Sequence, residues 1–158
     1  MDLANYKVPE GRVVCMRTCN EDMTSHGGFQ WPTSGTAVCP DWLPKAECGN
    51  GLHGMLWGTG DFSLLNWDES AKWLAVEVEE SVVVNLDGKV KFPVCEVLLV
   101  GTRKDVTDFI AKHAPNGTAV IGLVSEGGDG STITGGDGST ITGGDGSTIT
   151  GGDRSTIT

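Results

Sequence analysis

Positive charge is what this chain has least of: Lys and Arg number 11 against 21 Asp and Glu, a formal net charge of -10 at pH 7. A basic stripe is the usual electrostatic footprint of a nucleic-acid binder, so an excess of acid this large excludes direct DNA or RNA binding and disfavours anionic lipid surfaces. Long apolar runs are missing too. Nothing approaches the ~20 consecutive apolar residues of a membrane-spanning helix, and the opening segment MDLANYKVPEGRVV has neither an apolar core nor a small-residue cleavage site. A cytoplasmic protein without membrane contact is the resulting expectation. Cysteines are few, odd in number and unevenly spaced (Cys15, Cys19, Cys39, Cys48, Cys95), which does not make a secreted disulfide framework; reduced thiols are expected. The glycine-rich GLHGMLWGTGD (residues 51–61) lacks the Lys-Ser/Thr pair and the preceding strand of a phosphate loop, so a Walker site is excluded.

What is there is repetition. Residues 127–158 read GGDGSTIT three times and then GGDRSTIT, four octads in phase. Identical units at a fixed period signal stacking, each unit burying its apolar side against its neighbours. Within S-T-I-T the strand period of two puts Ser and Ile on one side and both Thr on the other. Ile133, Ile141, Ile149 and Ile157 are the expected core, with Ser131, Ser139, Ser147 and Ser155 beside them. Thr132, Thr134, Thr140, Thr142, Thr148, Thr150, Thr156 and Thr158 are the expected outer array. One octad is too short to circle a core, so sixteen residues should make one coil with a strand on each of two opposite faces. Coils would then stack roughly 4.8 Å apart and array their threonines on both faces. Asp129, Asp137, Asp145 and Asp153 sit in the wrong register for the nonapeptide calcium repeats, which leaves a flexible Gly/Ser tail as the alternative to a solenoid. No polar cap follows the last octad, so either the chain has been shortened or its open edge serves end-to-end assembly, and self-association through the repeats is expected.

The rest predicts a separate domain, with the boundary placed between 1–125 and 126–158. RVVCMR (residues 12–17) reads as a first strand, and Thr18 to Gly60 as an irregular segment anchored by Phe29, Trp31, Trp42 and Trp57. Asp68 is expected to cap a short helical turn leading into WLAVEVE (residues 73–79), a half-buried strand by its alternation. VVVNL and KVKF flank Asp87-Gly88, a hairpin signal. CEVLLVG (residues 95–101) reads as a central strand. Thr102 and Asp105 should cap a helix that buries Val106, Phe109 and Ile110 and stops at Pro115, with His113 in its last turn. TAVIGLV (residues 118–124) is the expected final strand, permitting a βαβ unit. The fold class is therefore α+β: a small mixed-sheet domain followed by a short β-solenoid.

Three resemblances add to this. The octads resemble the tandem repeats of bacterial ice-nucleation proteins, which implies a β-solenoid whose threonine rows order water. Cys19, Gly28-Phe29-Gln30 and Gly51-Leu52-His53, within residues 15–110, resemble an uncharacterised domain of phage and bacterial proteins often placed ahead of short repeats, which implies a phage or mobile-element origin. The order of an early strand with Arg17, the GLHG turn, WLAVEVE, VVVNL and a late-strand Glu96 resembles the ADP-ribosyltransferase fold. That likeness implies Glu96 as the catalytic glutamate and NAD held by Arg17 or His26.

Beyond these, Cys15, Cys19, Cys39, Cys48 and His53 offer enough ligands for zinc, though without paired C-x2-C spacing. No complete acid-base, nucleophile or metal constellation is evident, so the leading expectation is a non-enzymatic assembly protein without a resident cofactor, its partner another copy of itself. The alternatives are the ADP-ribosyltransferase, a phage-type inhibitor offering its acidic surface to a basic host protein, and an ice-binding repeat protein.

Overall fold

The computed structural model describes residues 2–158. Strands run β1 (Arg12–Cys19), β2 (Gly35–Val38), β3 (Leu52–Leu56), β4 (Lys72–Glu79), β5 (Val84–Asn85), β6 (Val90–Phe92) and β7 (Val94–Gly101), followed by helix α1 (Arg103–His113). The remaining strands are short: β8 (Val124–Glu126), β9 (Thr132–Thr134), β10 (Thr140–Thr142), β11 (Thr148–Thr150) and β12 (Thr156–Ile157). The α+β class expected from the sequence holds.

β1 to β7 form one sheet in the order β2-β7-β4-β1-β3-β6-β5, every neighbouring pair antiparallel. Side chains alternate between its faces. One face carries Val13, Cys15, Leu74, Val76 and Phe92, covered by the loop bearing Trp31. The other carries Val14, Met16, Trp73 and Ala75 and is covered by Val106, Phe109 and Ile110 of α1. Being covered on both sides, β4 is buried from Trp73 to Val78 with only Glu77 interrupting, and is not the half-buried strand its alternation suggested.

Local chemistry sets the other elements. The hairpin turns on Asp87 (φ 59°) and Gly88 (φ 70°), the pair of left-handed residues that a tight primed turn requires. A capping box joins Thr102 and Asp105 at the start of α1, and the chain leaves the helix at Ala114, before Pro115. His113 places Nδ1 2.8 Å from the Phe109 carbonyl and Nε2 3.1 Å from that of Tyr6, joining the helix end to the N-terminal segment. Asp68 caps no helix: Ala71 N–H bonds its carbonyl in an isolated turn, while Trp67 stacks on Phe62 at 4.1 Å between ring centroids. A single helical turn has too few bonds to offset its nucleation cost. The short helical segment nearby is instead a 3-10 turn, Phe62–Leu64, capped by Asp61.

After α1 the chain does not return to the large sheet, so no βαβ unit forms. TAVIGLV bends at Gly122 (φ 71°), and only Val124–Glu126 is strand. From there the pairing is parallel. β8, β10 and β12 form a three-stranded sheet and β9 and β11 a two-stranded one. Partners lie sixteen residues apart, Val124 with Thr140, Thr140 with Thr156, and Thr132 with Thr148. Successive octads thus alternate between two small sheets.

Candidate functional site

The octads build their surface from the inside outward. Ile133 and Ile149 are half-buried, Ile141 is fully buried and Ile157 is 49% exposed. The first glycine of each octad faces these side chains: a Cβ on Gly127 would lie 2.8 Å from Ile133 Cδ1, and one on Gly143 2.7 Å from Ile149 Cδ1. Serine is accepted inside because its hydroxyl is satisfied there. Ser139, 1% exposed, donates through Oγ to the Gly136 carbonyl at 2.6 Å, and its N–H donates to Ser155 Oγ at 3.2 Å. Ser131 repeats the pattern with Gly128 and Ser147. Such pairing removes most of the cost of burying a hydroxyl. The aspartates are structural also. Asp129 Oδ1 accepts the Asp145 N–H at 2.7 Å and Asp137 Oδ1 that of Asp153 at 2.8 Å, tying each octad to the one sixteen residues on.

With Gly, Ser and Ile turned inward, the threonines turn out, but the two faces differ. On the two-stranded face Thr132 and Thr134 stack in register on Thr148 and Thr150, and all four are exposed. The three-stranded face begins with Val124 and Glu126 in place of threonines. Its Thr140 is half-buried and accepts a hydrogen bond from Arg103 Nη2 at 3.3 Å; Thr142, Thr156 and Thr158 are exposed, the hydroxyls of Thr142 and Thr158 3.0 Å apart. The regular array expected on both faces is unbroken on one.

The globular domain holds this arrangement. Residues 119–126, AVIGLVSE, stand where an octad would precede residues 135–142. Gly122 N–H bonds the Asp137 carbonyl at 2.8 Å, as Gly138 bonds Asp153 at 2.7 Å. Thr140 N–H bonds Leu123 O at 2.6 Å, as Thr156 bonds Ser139 O at 2.8 Å. On the domain side Val120, Ile121 and Leu123 belong to the core under α1, against which Ile133 also packs. Arg103 Nη1 donates to the Gly138 carbonyl at 2.8 Å, and the Arg154 guanidinium lies 4.9 Å from the Phe62 ring centroid. The sequence carries one signal for this degenerate octad: Gly122 stands eight residues before Gly130, in phase with the corner glycines at 138 and 146. No signal in the sequence singles out Arg103 as the residue that reaches the repeats.

The other candidates do not assemble the expected sites, although Arg17, His26, Cys39, Cys48 and His53 line one cavity. Glu96 pairs across Glu77 to Val14, whereas Arg17 lies on the opposite face with Cys15, so an ADP-ribosyltransferase pairing of Glu96 with Arg17 does not form. Glu96 is instead bonded by the Thr36 hydroxyl, and His26 is exposed on a loop. Of the zinc candidates, Cys15, Cys19 and Cys39 are buried and Cys48 is exposed. Burial pushes the Cys15 and Cys95 thiols upward, the latter to about 12. Cys19 Sγ contacts Met23 Sδ, Cys39 Sγ donates to Asp41, and His53 Nε2 accepts the Gly49 N–H. Among the described residues no three His, Cys, Asp or Glu side chains converge as metal ligands. No described helix is long and apolar enough to cross a membrane.

Comparison with known proteins relates the chain to bacterial ice nucleation proteins. Ice nucleation protein InaU of Pantoea ananas is 41% identical over 106 residues, 66% of this chain and 10% of that protein. The ice nucleation protein of Enterobacter agglomerans is 41% identical over 106 residues, 66% of this chain and 8% of its own length. That of Pseudomonas fluorescens is 39% identical over 108 residues, 65% and 9% respectively. The chain spans a tenth or less of these relatives. The aligned stretch is more than three times as long as residues 127–158, so most of it falls in the globular domain. These relatives lend no support to the ADP-ribosyltransferase likeness or to a phage origin. No solved structure matches the chain. A family model described as "Domain of unknown function (DUF7666)" covers residues 13–112, well over half of the chain, and the protein therefore belongs to that family.

Proposed function

We propose that residues 119–158 wind as a short β-solenoid on the globular domain and that its threonine face orders water toward ice, the part such repeats play in an ice nucleation protein. The observation that carries this reading is the in-register stack of Thr132 and Thr134 on Thr148 and Thr150, all four exposed. Strands stacked at roughly 4.8 Å, with Thr pairs two residues apart, repeat hydroxyl and methyl groups on a fixed two-dimensional grid. The sulfur, acid and base groups of the chain take no part. The domain's role is that of a template: AVIGLVSE supplies a finished edge, so the first repeats need not nucleate their own fold.

Area limits the activity. Two stacked strands present a patch far smaller than relatives roughly seven to eight times this length would present. Droplet freezing tests the reading directly. The chain itself should freeze barely above buffer, while a version carrying sixteen further GGDGSTIT octads in phase should freeze several degrees warmer. Replacing every outward Thr of that version by Lys should remove the gain. An extended version that folds, by circular dichroism, yet freezes with buffer would sink the proposal.

A second reading, self-association through the repeat edge, is favoured by Ile157 being half exposed beside the strand edges of β11 and β12. Sedimentation of the same samples separates the two readings: association lost in Ile157→Lys supports it, and a monomer at all concentrations dismisses it.

A further inference from the structure

A cavity of about 490 Å³ opens beside the Trp31 loop, and no repeat residue lines it. Its volume is that of a small-ligand site. Arg17 forms part of the wall. The guanidinium lies 4.1 Å from the Trp31 ring centroid and donates from Nη1 to the His53 carbonyl at 2.9 Å and from Nη2 to that of Thr18 at 3.0 Å. Its Nε is enclosed and has no partner, and no carboxylate among the described residues forms an ion pair with it. An enclosed guanidinium met only by neutral dipoles is an expensive arrangement, because burying a charge costs far more than carbonyls return unless a counter-charge is supplied. In a chain of net charge -10 this cation has no anion among the described residues.

The surroundings reinforce it. Lys89 lines the same cavity, its Nζ donating to Cys48 Sγ at 3.1 Å, and buried Lys91 lies behind the wall, donating to the Gly49 carbonyl at 3.1 Å. His53 accepts the Gly49 N–H at Nε2, which leaves its proton on Nδ1. Burial first, then the charges of Lys89, Arg17 and Lys91, push its pKa down to about 4. The only carboxylate among the described wall residues, Asp41, is occupied by the Asn50 amide at 3.0 Å and by Cys39 Sγ at 3.1 Å. Phe29, Leu64 and Leu65 add apolar wall beside these polar groups.

We propose that this cavity is a binding site for a small organic oxyanion, a carboxylate or phosphate monoester with an apolar body, whose charge is met by Arg17 and Lys89 and whose apolar part rests against Phe29 and Leu64. The site is independent of the threonine face and stands whether or not the chain acts on ice.

Phenyl phosphate, inorganic phosphate and the neutral benzyl alcohol are the probes, titrated into the full chain and followed by NMR of the Trp31 indole N–H and the Gly49 amide. Phenyl phosphate should bind with Kd below about 1 mM, inorganic phosphate more weakly, and benzyl alcohol about tenfold more weakly or not at all. Arg17→Met should weaken phenyl phosphate about tenfold and Lys89→Gln about threefold. Lys89 is only half-buried, so that variant keeps the test open if Arg17→Met misfolds. Benzyl alcohol binding as tightly as phenyl phosphate, unchanged affinity in a folded Lys89→Gln, or no shift at ~10 mM of either phosphate overturns the assignment.

Discussion

Truncating chemically identical isoleucines should give very different outcomes. Ile141 and Ile157 occupy the same octad position and pair directly in adjacent strands. Yet Ile141 is 0% exposed and Ile157 49%. Ile141→Ala deletes three buried carbons at about 0.8 kcal/mol each and leaves a cavity, a loss of about 3 kcal/mol. At Ile157 half of that surface already meets water and the neighbourhood can collapse, so the loss is about 1 kcal/mol. Stacked repeats open locally, hence a global melt would blur the contrast. Native-state hydrogen exchange resolves it. Ile141→Ala should speed exchange of the Thr140 and Gly136 amides, which bond Leu123 and Val120 carbonyls, by about 100-fold. Ile157→Ala should speed the Thr156 amide only about fivefold. Ile133→Ala and Ile149→Ala fall between. Equal effects at 141 and 157, or a loss under ~1 kcal/mol at 141, would refute the inward packing of the octads on the domain.

Two other expectations follow from the same geometry. Gly138 and Gly146 have nearly the same φ, 71° and 72°, but an alanine Cβ at 138 would strike Phe62 and Trp67 while one at 146 meets nothing within 4 Å. Gly146→Ala should cost about 1 kcal/mol of backbone strain, and Gly138→Ala about 2 kcal/mol more by overpacking; matching melting temperatures for the two would contradict the docking described. His53, with its folded pKa lowered to about 4 from an ordinary value of 6.5, takes up its proton less readily when folded. The unfolded chain binds more protons between those values, so stability is full above pH 6.5 and falls as pH drops toward 4, by at most about 3 kcal/mol. Chemical denaturation should show a flatter profile for His53→Gln in that window; an unchanged slope would show that the ring is solvated.

Much of the fold could be read locally. The Asp87-Gly88 hairpin and the Thr102/Asp105 capping box each depend on a few neighbouring residues whose backbone preferences suffice. Strand burial could not be read this way. Alternation along WLAVEVE suggested one wet face, but wetness depends on what covers each face, and both α1 and the Trp31 loop come from elsewhere in the chain. The final strand expected at TAVIGLV failed for a related reason. Its apolar residues are those of a buried strand, but Gly122 turns it into a corner, and the Asp137 carbonyl accepts the Gly122 N–H there.

The octads by themselves determined the sixteen-residue pairing, since the period is a property of the local chain. Tertiary structure decided which isoleucine is dry, which threonine face is unbroken, and that Arg17 sits enclosed without a counter-charge. Those outcomes depend on neighbours distant in sequence, whereas the first three octads are identical and only Arg154 marks the fourth.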